Sequence, residues 1–213
     1  MGDSRVSNKI TIQSHKGEYI ASFIYGGMDQ LNNNPVENAV YIIDQNIVKL
    51  YKNRLKNILS SQRVIKIEAT EENKSLDCFP AYIDALVELK VRREQTLVAI
   101  GGGIIQDITC FLATTLMRGL PWMFYPTTLL AQSDSCIGSK SSINSGDVKN
   151  ILGTFTPPNN VVIDVDFLST LEEKDIFSGI GEMIKVHAIN SPIDFDKIFK
   201  KVDLPAPLAP IIP

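Results

Sequence analysis

The segment TLVAIGGGIIQDITC, residues 96–110, decides the fold class predicted for this chain. An apolar strand of the buried type runs into three consecutive glycines, and a helical pattern follows them. Glycine lets the backbone turn with positive φ and lets a ligand come close to the main chain. The N-terminus of the following helix would present free N–H groups and a positive dipole end to an anion such as a pyrophosphate.

The other interpretation of these glycines is a tight turn that binds nothing. The pattern is not a strict GxGxxG, because Gln106 occupies the sixth position. Asp107, in the first helical turn, is favoured there by the helix dipole, and it could also bind a ligand hydroxyl or order the loop. The local pattern therefore fits both interpretations, and the neighbouring residues must separate them.

Polar residues after the next predicted strand favour a ligand. The stretch FYPTTLLAQSDSCIGSKSSIN and the following DVKNILG interleave hydroxyls, amides and lysines with small residues. Such side chains suit a polyhydroxylated, phosphorylated ligand, since lysine is a compact charge for phosphate. The alternative is a solvated loop with scattered charges. The residues concerned are Thr127, Thr128, Asp134, Lys140, Asn144, Lys149 and Asn150.

Composition restricts the class of protein. The chain has 213 residues, of which 44% are hydrophobic, and a net charge of −3, which argues against wholesale disorder and against nucleic acid as a partner. The most apolar run is broken by Pro121 and Pro126, so no membrane helix or membrane partner is predicted. The three cysteines form no CxxC motif, which favours a reducing, cytoplasmic setting without disulfides.

Strands alternate with helices along most of the chain, which predicts an α/β fold with a parallel sheet covered on both faces. The predicted strands are NKITIQSHKGEYIASFIYG (two strands around a turn), NAVYIIDQN, RVIKIEA, TLVAI, WMFYPTT and NVVIDVD. The predicted helices are IVKLYKNRLKNILSS, AYIDALVELKVRR and IIQDITCFLATTLMRG.

From about Asp175 the pattern is helical only, which predicts the first helix of a second, helical domain over residues 175–200. The first domain would then be residues 1–174. The stretch KKVDLPAPLAPIIP has four prolines in its last ten residues and can form neither a helix nor a central strand. Residues 201–213 are therefore predicted to be an unstructured tail, or the point where a longer protein is cut short.

The segment from Gly101 to about Ile189 resembles the dehydroquinate synthase family, the sugar phosphate cyclases. The matching pieces are GGGIIQD, MRG, YPTTLLAQSDSCIGSK, VKNILGTF and SGIGEMIKV, with weaker matches in YIIDQN and EENK. The resemblance implies a dimeric enzyme with a Rossmann-like NAD-binding domain and a helical domain that carries most of a zinc or cobalt site. The enzyme eliminates phosphate from a seven-carbon sugar-acid phosphate of the shikimate pathway and closes the sugar to a carbocycle, and NAD is not consumed.

The resemblance also implies site residues. Asp44, at a strand end, would bind the adenosine ribose. The residues that would bind NAD are Asp44, Glu71, Lys74, Gly102, Gly103, Asp107, Thr127, Thr128, Asp134, Lys140, Lys149, Phe167, Thr170 and Leu171. The implied catalytic residues are Asp134, Lys140, Asn150 and Lys185, and the implied substrate-binding residues are Arg118, Lys140, Asn150 and Lys185. Arg118 would reach the substrate phosphate, in the family often from the partner subunit.

Glu182 would be the first metal ligand, although without the resemblance it would be interpreted as an exposed helical glutamate. The two histidine ligands of the family lie beyond this chain, and we interpret His187 as a packing or surface residue. The chain is therefore predicted to be a fragment of a longer enzyme, with poor solubility or reliance on a partner, or else a divergent relative without the chemistry.

Three further alternatives stay open. The family usually has glycine before the substrate lysine and Asn-His-Pro after it, whereas here Ser139 precedes Lys140 and no His-Pro follows Asn144. This difference predicts either a divergent dehydroquinate synthase or a sister cyclase of the 2-deoxy-scyllo-inosose or epi-valiolone synthase type. An iron-dependent alcohol dehydrogenase shares the glycine turn, and an inactive NAD-binding remnant would explain the missing histidines.

Overall fold

The computed structural model describes residues 8–201, and the side chains of residues 8–197. Its strands are β1 (Asn8–Ser14), β2 (Gly17–Ile24), β3 (Ala39–Asp44), β4 (Val64–Ile67), β5 (Thr96–Gly101), β6 (Trp122–Pro126), β7 (Lys140–Ser145), β8 (Val148–Phe155) and β9 (Asn160–Asp164). Its α-helices are α1 (Gly27–Asn33), α2 (Gln45–Leu50), α3 (Lys56–Ser60), α4 (Phe79–Glu88), α5 (Gly103–Thr115), α6 (Glu173–Asn190) and α7 (Pro192–Lys201).

Seven strands form one sheet in the order β1-β2-β9-β6-β5-β3-β4, and only the pairing of β1 with β2 is antiparallel. A mostly parallel sheet with helices between its strands confirms the predicted α/β, Rossmann-like class. The strands β7 and β8 form a separate antiparallel hairpin.

The sheet is covered on both faces, as the apolar strands predict. All six residues of β3 are buried. Alternate residues of that strand enter different cores, because successive side chains point to opposite faces. Val40 and Ile42 pack in the cluster that contains α5, whereas Tyr41 and Ile43 pack in the cluster beneath α1, α2 and α3. A continuous apolar run is typical of a parallel strand that is buried on both sides.

Two predicted helices are each divided in the structure. The stretch IVKLYKNRLKNILSS forms α2 and α3 rather than one helix, since Tyr51 leaves helical geometry with φ of −116°. The ring of Tyr51 packs on Phe167, 5.5 Å between centroids. The prediction of one helix over 175–200 is also wrong, since α6 ends at Asn190 and α7 begins at Pro192. Ser191 is extended, as a residue before proline prefers, and its hydroxyl accepts a bond from the N–H of Asp194.

The hairpin of β7 and β8 was not predicted as strands, because its polar residues indicated a loop. Gly146 supplies positive φ in its turn, and the register shifts between Ile143 and Ser145. Ile143 is fully buried against the core beside α5, which holds the hairpin over this helix.

Other parts of the sequence-based division are not tested by the structure. The proposed boundary between residues 174 and 175 stays a prediction, and all but the first residue of the predicted tail lies outside residues 8–201. No helix within the described range is both long and apolar enough to cross a bilayer.

Candidate functional site

The strand order reverses at the ends of β3 and β5. From β3 the chain passes to β4 on one side, whereas β5 pairs with β3 on the other side. Asp44 ends β3 and Gly101 ends β5, so both lie at the carboxyl edge of this reversal. Open α/β sheets bind ligands in the crevice outside the strand ends at such a point. The topology therefore places the glycine segment at the favoured binding position.

The three glycines at the start of α5 differ in their surroundings. A Cβ at Gly101 would lie 2.5 Å from Cγ1 of Ile105, so this glycine is required for the packing of strand against helix. A Cβ at Gly102 would lie 3.1 Å from Cγ2 of Thr128. At Gly103, by contrast, a Cβ would meet nothing within 4 Å.

The first turn of α5 is available to an anion. Gly102 is the N-cap residue and provides no side-chain cap, so the first N–H groups of α5 have no capping side chain and the helix dipole favours an anion there. The space beside Gly103 is what a phosphate at a helix N-terminus needs, and the residues present therefore fit a pyrophosphate.

A cleft of about 340 Å³ lies beside these strand ends. It brings together five residues that were predicted to bind NAD, namely Asp44, Thr127, Thr128, Thr170 and Leu171. The cleft is lined in addition by residues that were not predicted, namely Asn46, Ile47, Lys49, Leu50, Glu172 and Asp175. The volume is of the order that small-molecule sites require.

Asp44 is held rigidly at the edge of this cleft. Its Oδ1 accepts a hydrogen bond from the N–H of Asn46, 2.9 Å, which caps α2. Burial raises the pKa of the Asp44 carboxyl, while this bond and the charge of Lys49 oppose the rise. The second carboxylate oxygen remains available for a ligand hydroxyl, which is the role a carboxylate at this strand end performs in dinucleotide folds.

A second group of predicted residues meets beside α5, where a buried lysine joins them. Nζ of Lys74 lies 3.3 Å from Oδ2 of Asp107, 2.9 Å from Oδ1 of Asn150 and 3.6 Å from Oε1 of Glu71. Lys74 is only 5% exposed, so its ammonium group is satisfied by protein rather than by water.

The hairpin supplies the remaining contacts of this polar network. The N–H of Ser142 donates to Oδ1 of Asp107, 3.1 Å, and the Ser142 hydroxyl donates to Oδ1 of Asn150, 2.9 Å. Nδ2 of Asn144 donates to Oε2 of Glu71, 2.9 Å, while its Oδ1 accepts from the N–H of Asn150, 2.9 Å. The network thus ties β7 and β8 to α5 and to the 3₁₀ turn Glu72–Lys74.

The two carboxylates of the network are shifted in opposite directions. Burial raises the pKa of Asp107, although the Ser142 N–H and the charge of Lys74 oppose it. The hydrogen bond from Asn144 lowers the pKa of Glu71, and the charges of Lys74 and Lys149 act in the same direction. Lys149, which was predicted to bind NAD, is exposed on β8.

Asp134 and Lys140 line a different pocket of about 290 Å³, together with residues of the loop between them and Phe155. Asp134 lies in a π-helical turn, Ala131–Ser135, and Lys140 begins β7. Turns of this kind are frequent at functional sites. These two predicted residues are therefore close to each other, while neither lines the cleft of Asp44.

Two predicted residues lie apart from the cleft. The ring of Phe167 is 2% exposed and packs in the core against Tyr51, so its side chain does not line the cleft, and its contact with NAD stays a prediction. A large aromatic ring gains more from this burial than from an open site. Arg118 is exposed beyond the far end of α5, with φ of 67°, and a helix of 13 residues separates it from Gly102 by about 20 Å.

Glu182 and Lys185, predicted as a metal ligand and a substrate-binding lysine, form an ion pair one turn apart on α6. His187 contacts the carbonyl oxygen of Met183 through Nδ1, 2.7 Å, in line with a packing role. Within the described part of the chain, no group of three or more acidic, histidine or cysteine side chains could hold a metal ion. Glu182 is therefore isolated from further ligands in this part of the chain.

Sequence reasoning did not identify several residues of these sites. Glu172 and Asp175 lie at the start of α6, where acids are common for capping reasons alone. Ser142 carried no comparable signal, because KSSINS contains a single apolar residue, Ile143, and shows no period-two pattern.

Comparison with known proteins agrees with these features. The family model of the 3-dehydroquinate synthase N-terminal domain matches residues 64–178. The 3-dehydroquinate synthase of Enterococcus faecalis strain ATCC 47077 is 35% identical over 191 residues, which are 85% of this chain and 53% of that protein. The chain therefore spans about half the length of this curated relative.

Solved structures of sugar phosphate cyclases share the fold. A 2-deoxy-scyllo-inosose synthase superposes with a TM-score of 0.72 at 22% identity, covering 81% of this chain and 51% of that one. The 2-epi-5-epi-valiolone synthase ValA of Streptomyces hygroscopicus, solved with NAD+ and Zn2+, gives a TM-score of 0.66 at 25% identity and covers 86% and 58% of the two chains. By sequence and by fold, this chain belongs to the 3-dehydroquinate synthase family.

Proposed function

We propose that this chain is the NAD-binding half of a carbon–oxygen lyase of the 3-dehydroquinate synthase type, which acts on a seven-carbon sugar-acid phosphate of the shikimate pathway. NAD would supply transient oxidation of a substrate hydroxyl, which acidifies the neighbouring C–H and allows phosphate to leave. The ketone would take this hydride back from the reduced cofactor, and the opened sugar would then close by an aldol step. We further propose that the enzyme is cytoplasmic, in keeping with the free thiols of Cys78, Cys110 and Cys136.

One observation carries this proposal. Asp44, Thr127 and Thr170 converge on a cleft at the strand reversal, beside the open N-terminus of α5. A carboxylate for a ribose and a helix terminus for a pyrophosphate are the two elements that a dinucleotide needs from such a sheet. Membership of the family agrees with NAD as the proposed cofactor, since the ValA structure contains NAD+.

The residues of this chain would bind and orient rather than complete the reaction. Asp44 would accept a bond from a ribose hydroxyl, and the first N–H groups of α5 would bind the pyrophosphate. Asp134 and Lys140 would bind hydroxyl groups, and Lys185 would contact the substrate from α6. Arg118 is exposed and does not line the cleft of its own chain, which supports a role in the site of a second copy and thus a homodimer.

The described residues do not fit a metal ion by themselves. Glu182 offers one carboxylate, whereas a catalytic zinc site needs three protein ligands. No step of the proposed chemistry is assigned to a metal held by this part of the chain.

Two measurements test the proposal, namely calorimetry of NAD binding and an assay of phosphate release. We expect the chain to bind NAD, and we expect Asp44→Asn to weaken binding by about tenfold, since a charge-assisted bond to a hydroxyl is lost. Binding with release of phosphate from the seven-carbon precursor supports the lyase. Because this chain is proposed to be only the NAD-binding half, phosphate release is measured with the helical half of a 3-dehydroquinate synthase added. NAD binding without phosphate release under those conditions would identify an NAD-binding remnant, and no binding at saturating NAD would refute the proposal.

A sister cyclase is the second candidate. The likeness to a 2-epi-5-epi-valiolone synthase and the serine before Lys140 favour it. The same phosphate-release assay with a six-carbon and another seven-carbon sugar phosphate distinguishes the two candidates. Release from either of these, and none from the shikimate precursor, would reassign the substrate.

A further inference from the structure

The carboxamide of Asn150 is anchored on one side only. Its Oδ1 accepts hydrogen bonds from Nζ of Lys74, 2.9 Å, and from Oγ of Ser142, 2.9 Å. Among residues 8–197, Nδ2 of Asn150 has no hydrogen-bond partner. Two donors thus remain on a group whose acceptor is fully used.

The identity of the anchored atom follows from chemistry. An ammonium group only donates, so the Asn150 atom that faces Lys74 must be the carbonyl oxygen. The amide nitrogen must then point the other way. The interaction with Lys74 therefore fixes which end of Asn150 faces outward.

The backbone of Asn150 is fixed as well. Its φ of 56° lies in the left-handed region, which asparagine tolerates better than most residues. Its N–H donates to Oδ1 of Asn144, 2.9 Å, across the hairpin. Side chain and main chain are thus both held by neighbours, although Asn150 itself is exposed on β8.

The exposed amide of Asn150 lies near the N-terminus of α5. Asp107 shares Lys74 with Asn150, and it follows Gly103 by one helical turn, a rise of about 6 Å on the same face of the helix. A donor at this place complements the helix N-terminus, because both favour an oxygen acceptor with negative charge.

We propose that Ser142 and Lys74 are positioning residues that hold the Asn150 amide with Nδ2 outward, as a donor to a phosphate or hydroxyl oxygen of the ligand. Neither comparison nor sequence assigns Ser142 a role. The inference rests on the proposed function for the nature of the ligand, whereas the fixed orientation of the amide is a property of the ligand-free protein.

Nuclear magnetic resonance tests the orientation without turnover. In ¹⁵N-labelled protein, the side-chain signal of Asn150 is identified by its loss in Asn150→Asp. In the wild-type protein we expect the heteronuclear NOE of this signal to match the backbone value of β8. In the Ser142→Ala variant we expect it to fall towards the side-chain value of Asn53, which is exposed. Ser142→Thr keeps the hydroxyl and should restore it. A low NOE in the wild-type protein would refute a fixed amide.

Ligand binding tests the purpose of the fixed amide. We expect Ser142→Ala to raise the Kd of the probe that shifts the Asn150 signal, NAD or inorganic phosphate, by about three- to tenfold, the value of one neutral hydrogen bond, and Ser142→Thr to restore it. Asn150→Asp keeps an acceptor for Lys74 and lacks the donor, so it should bind at least as weakly as Ser142→Ala. Ser145→Ala, in the same strand, is the matched control and should leave both NOE and Kd unchanged.

Two probes distinguish which ligand supplies the oxygen that accepts from Nδ2 of Asn150. A shift of the Asn150 Nδ2 signal on addition of NAD assigns the cofactor, and a shift with inorganic phosphate alone assigns the substrate phosphate. A shift with neither would overturn the inference. If the wild-type protein fails to bind NAD but keeps a high NOE, the proposed function fails while the fixed amide stands.

Discussion

Nζ of Lys74 lies 3.3 Å from Oδ2 of Asp107, and the two side chains are only 7% and 20% exposed. This ion pair joins the turn Glu72–Lys74 to α5 directly beneath the candidate phosphate site. Removing one charge of such a pair leaves the other desolvated and unpaired, which costs more than the net value of the pair.

We therefore expect Lys74→Met to lower the free energy of unfolding by about 2–4 kcal/mol, measured by urea denaturation. Adding Asp107→Asn should recover part of this loss, because the stranded carboxylate is then absent. Lys66→Met changes an exposed lysine of β4 and should stay within about 0.5 kcal/mol. Equal losses of unfolding free energy in Lys66→Met and Lys74→Met would show that the Lys74–Asp107 ion pair contributes nothing specific to stability.

Gly103 offers a test of the phosphate site that does not disturb the fold. Because a Cβ at Gly103 meets nothing within 4 Å, Gly103→Ala should keep or raise the Tm while its methyl group occupies ligand space. We expect the Kd for NAD to rise about tenfold or more, measured by calorimetry.

Gly181→Ala is the matched control for Gly103→Ala. Gly181 lies in α6, and a Cβ added there would likewise meet open space, so alanine should stabilise the helix without changing NAD affinity. Unchanged NAD affinity in Gly103→Ala would mean that the ligand does not approach this helix terminus.

Gly179 determines how closely α6 approaches the rest of the fold. A Cβ there would lie 2.5 Å from Cγ of Leu129 and 2.8 Å from the backbone N of Leu130, and backbone cannot move as a side-chain tip can. We expect Gly179→Ala to lower the free energy of unfolding by about 1–3 kcal/mol and to speed proteolysis within α6. A variant as stable as Gly181→Ala would contradict this contact.

The pKa of Glu71 depends on Asn144. Since the hydrogen bond from Asn144 lowers the pKa of Glu71, Asn144→Ala should move the titration of the Glu71 carboxyl carbon to higher pH in ¹³C spectra. A lowered pKa stabilises the fold above the unfolded value of about 4.3, and this contribution is lost as pH falls through the folded pKa.

The stability difference between wild type and Asn144→Ala should therefore shrink as the pH falls below about 4. Part of this stability difference should be independent of pH, because Oδ1 of Asn144 also accepts a hydrogen bond from the N–H of Asn150. In a Glu71→Gln background the difference should not vary with pH. A Glu71 titration that is the same with and without Asn144 would refute this cause.

Apolar side chains on α6 and α7 predict self-association. Ile189 is 79% exposed and Ile193 is 68% exposed. We expect Ile189→Lys with Ile193→Lys to reduce association in sedimentation experiments at unchanged Tm, because the apolar patch is broken. Val87→Lys, at an exposed site on α4, outside these two helices, is the comparison and should have little effect. Association that persists unchanged would place the contact elsewhere.

Much of the sheet could be predicted because its strands carry local signals. The run TLVAIG is apolar throughout most of its length, and a parallel strand covered on both faces needs that composition. The hairpin could not be predicted in the same way, because β8 is exposed at nearly every position and its residues show no period-two pattern. Its position depends on Ile143, which enters the core from the other strand.

The sequence by itself determined the class of fold and predicted an anion site beside the glycines, since both depend on backbone freedom and on short-range periodicity. Only the tertiary structure decided which polar residues share a site. Asn150 and Lys74 are 76 residues apart in the chain, and they meet because the hairpin folds back over α5. Such contacts arise from packing between distant elements, and no local pattern of residues contains them.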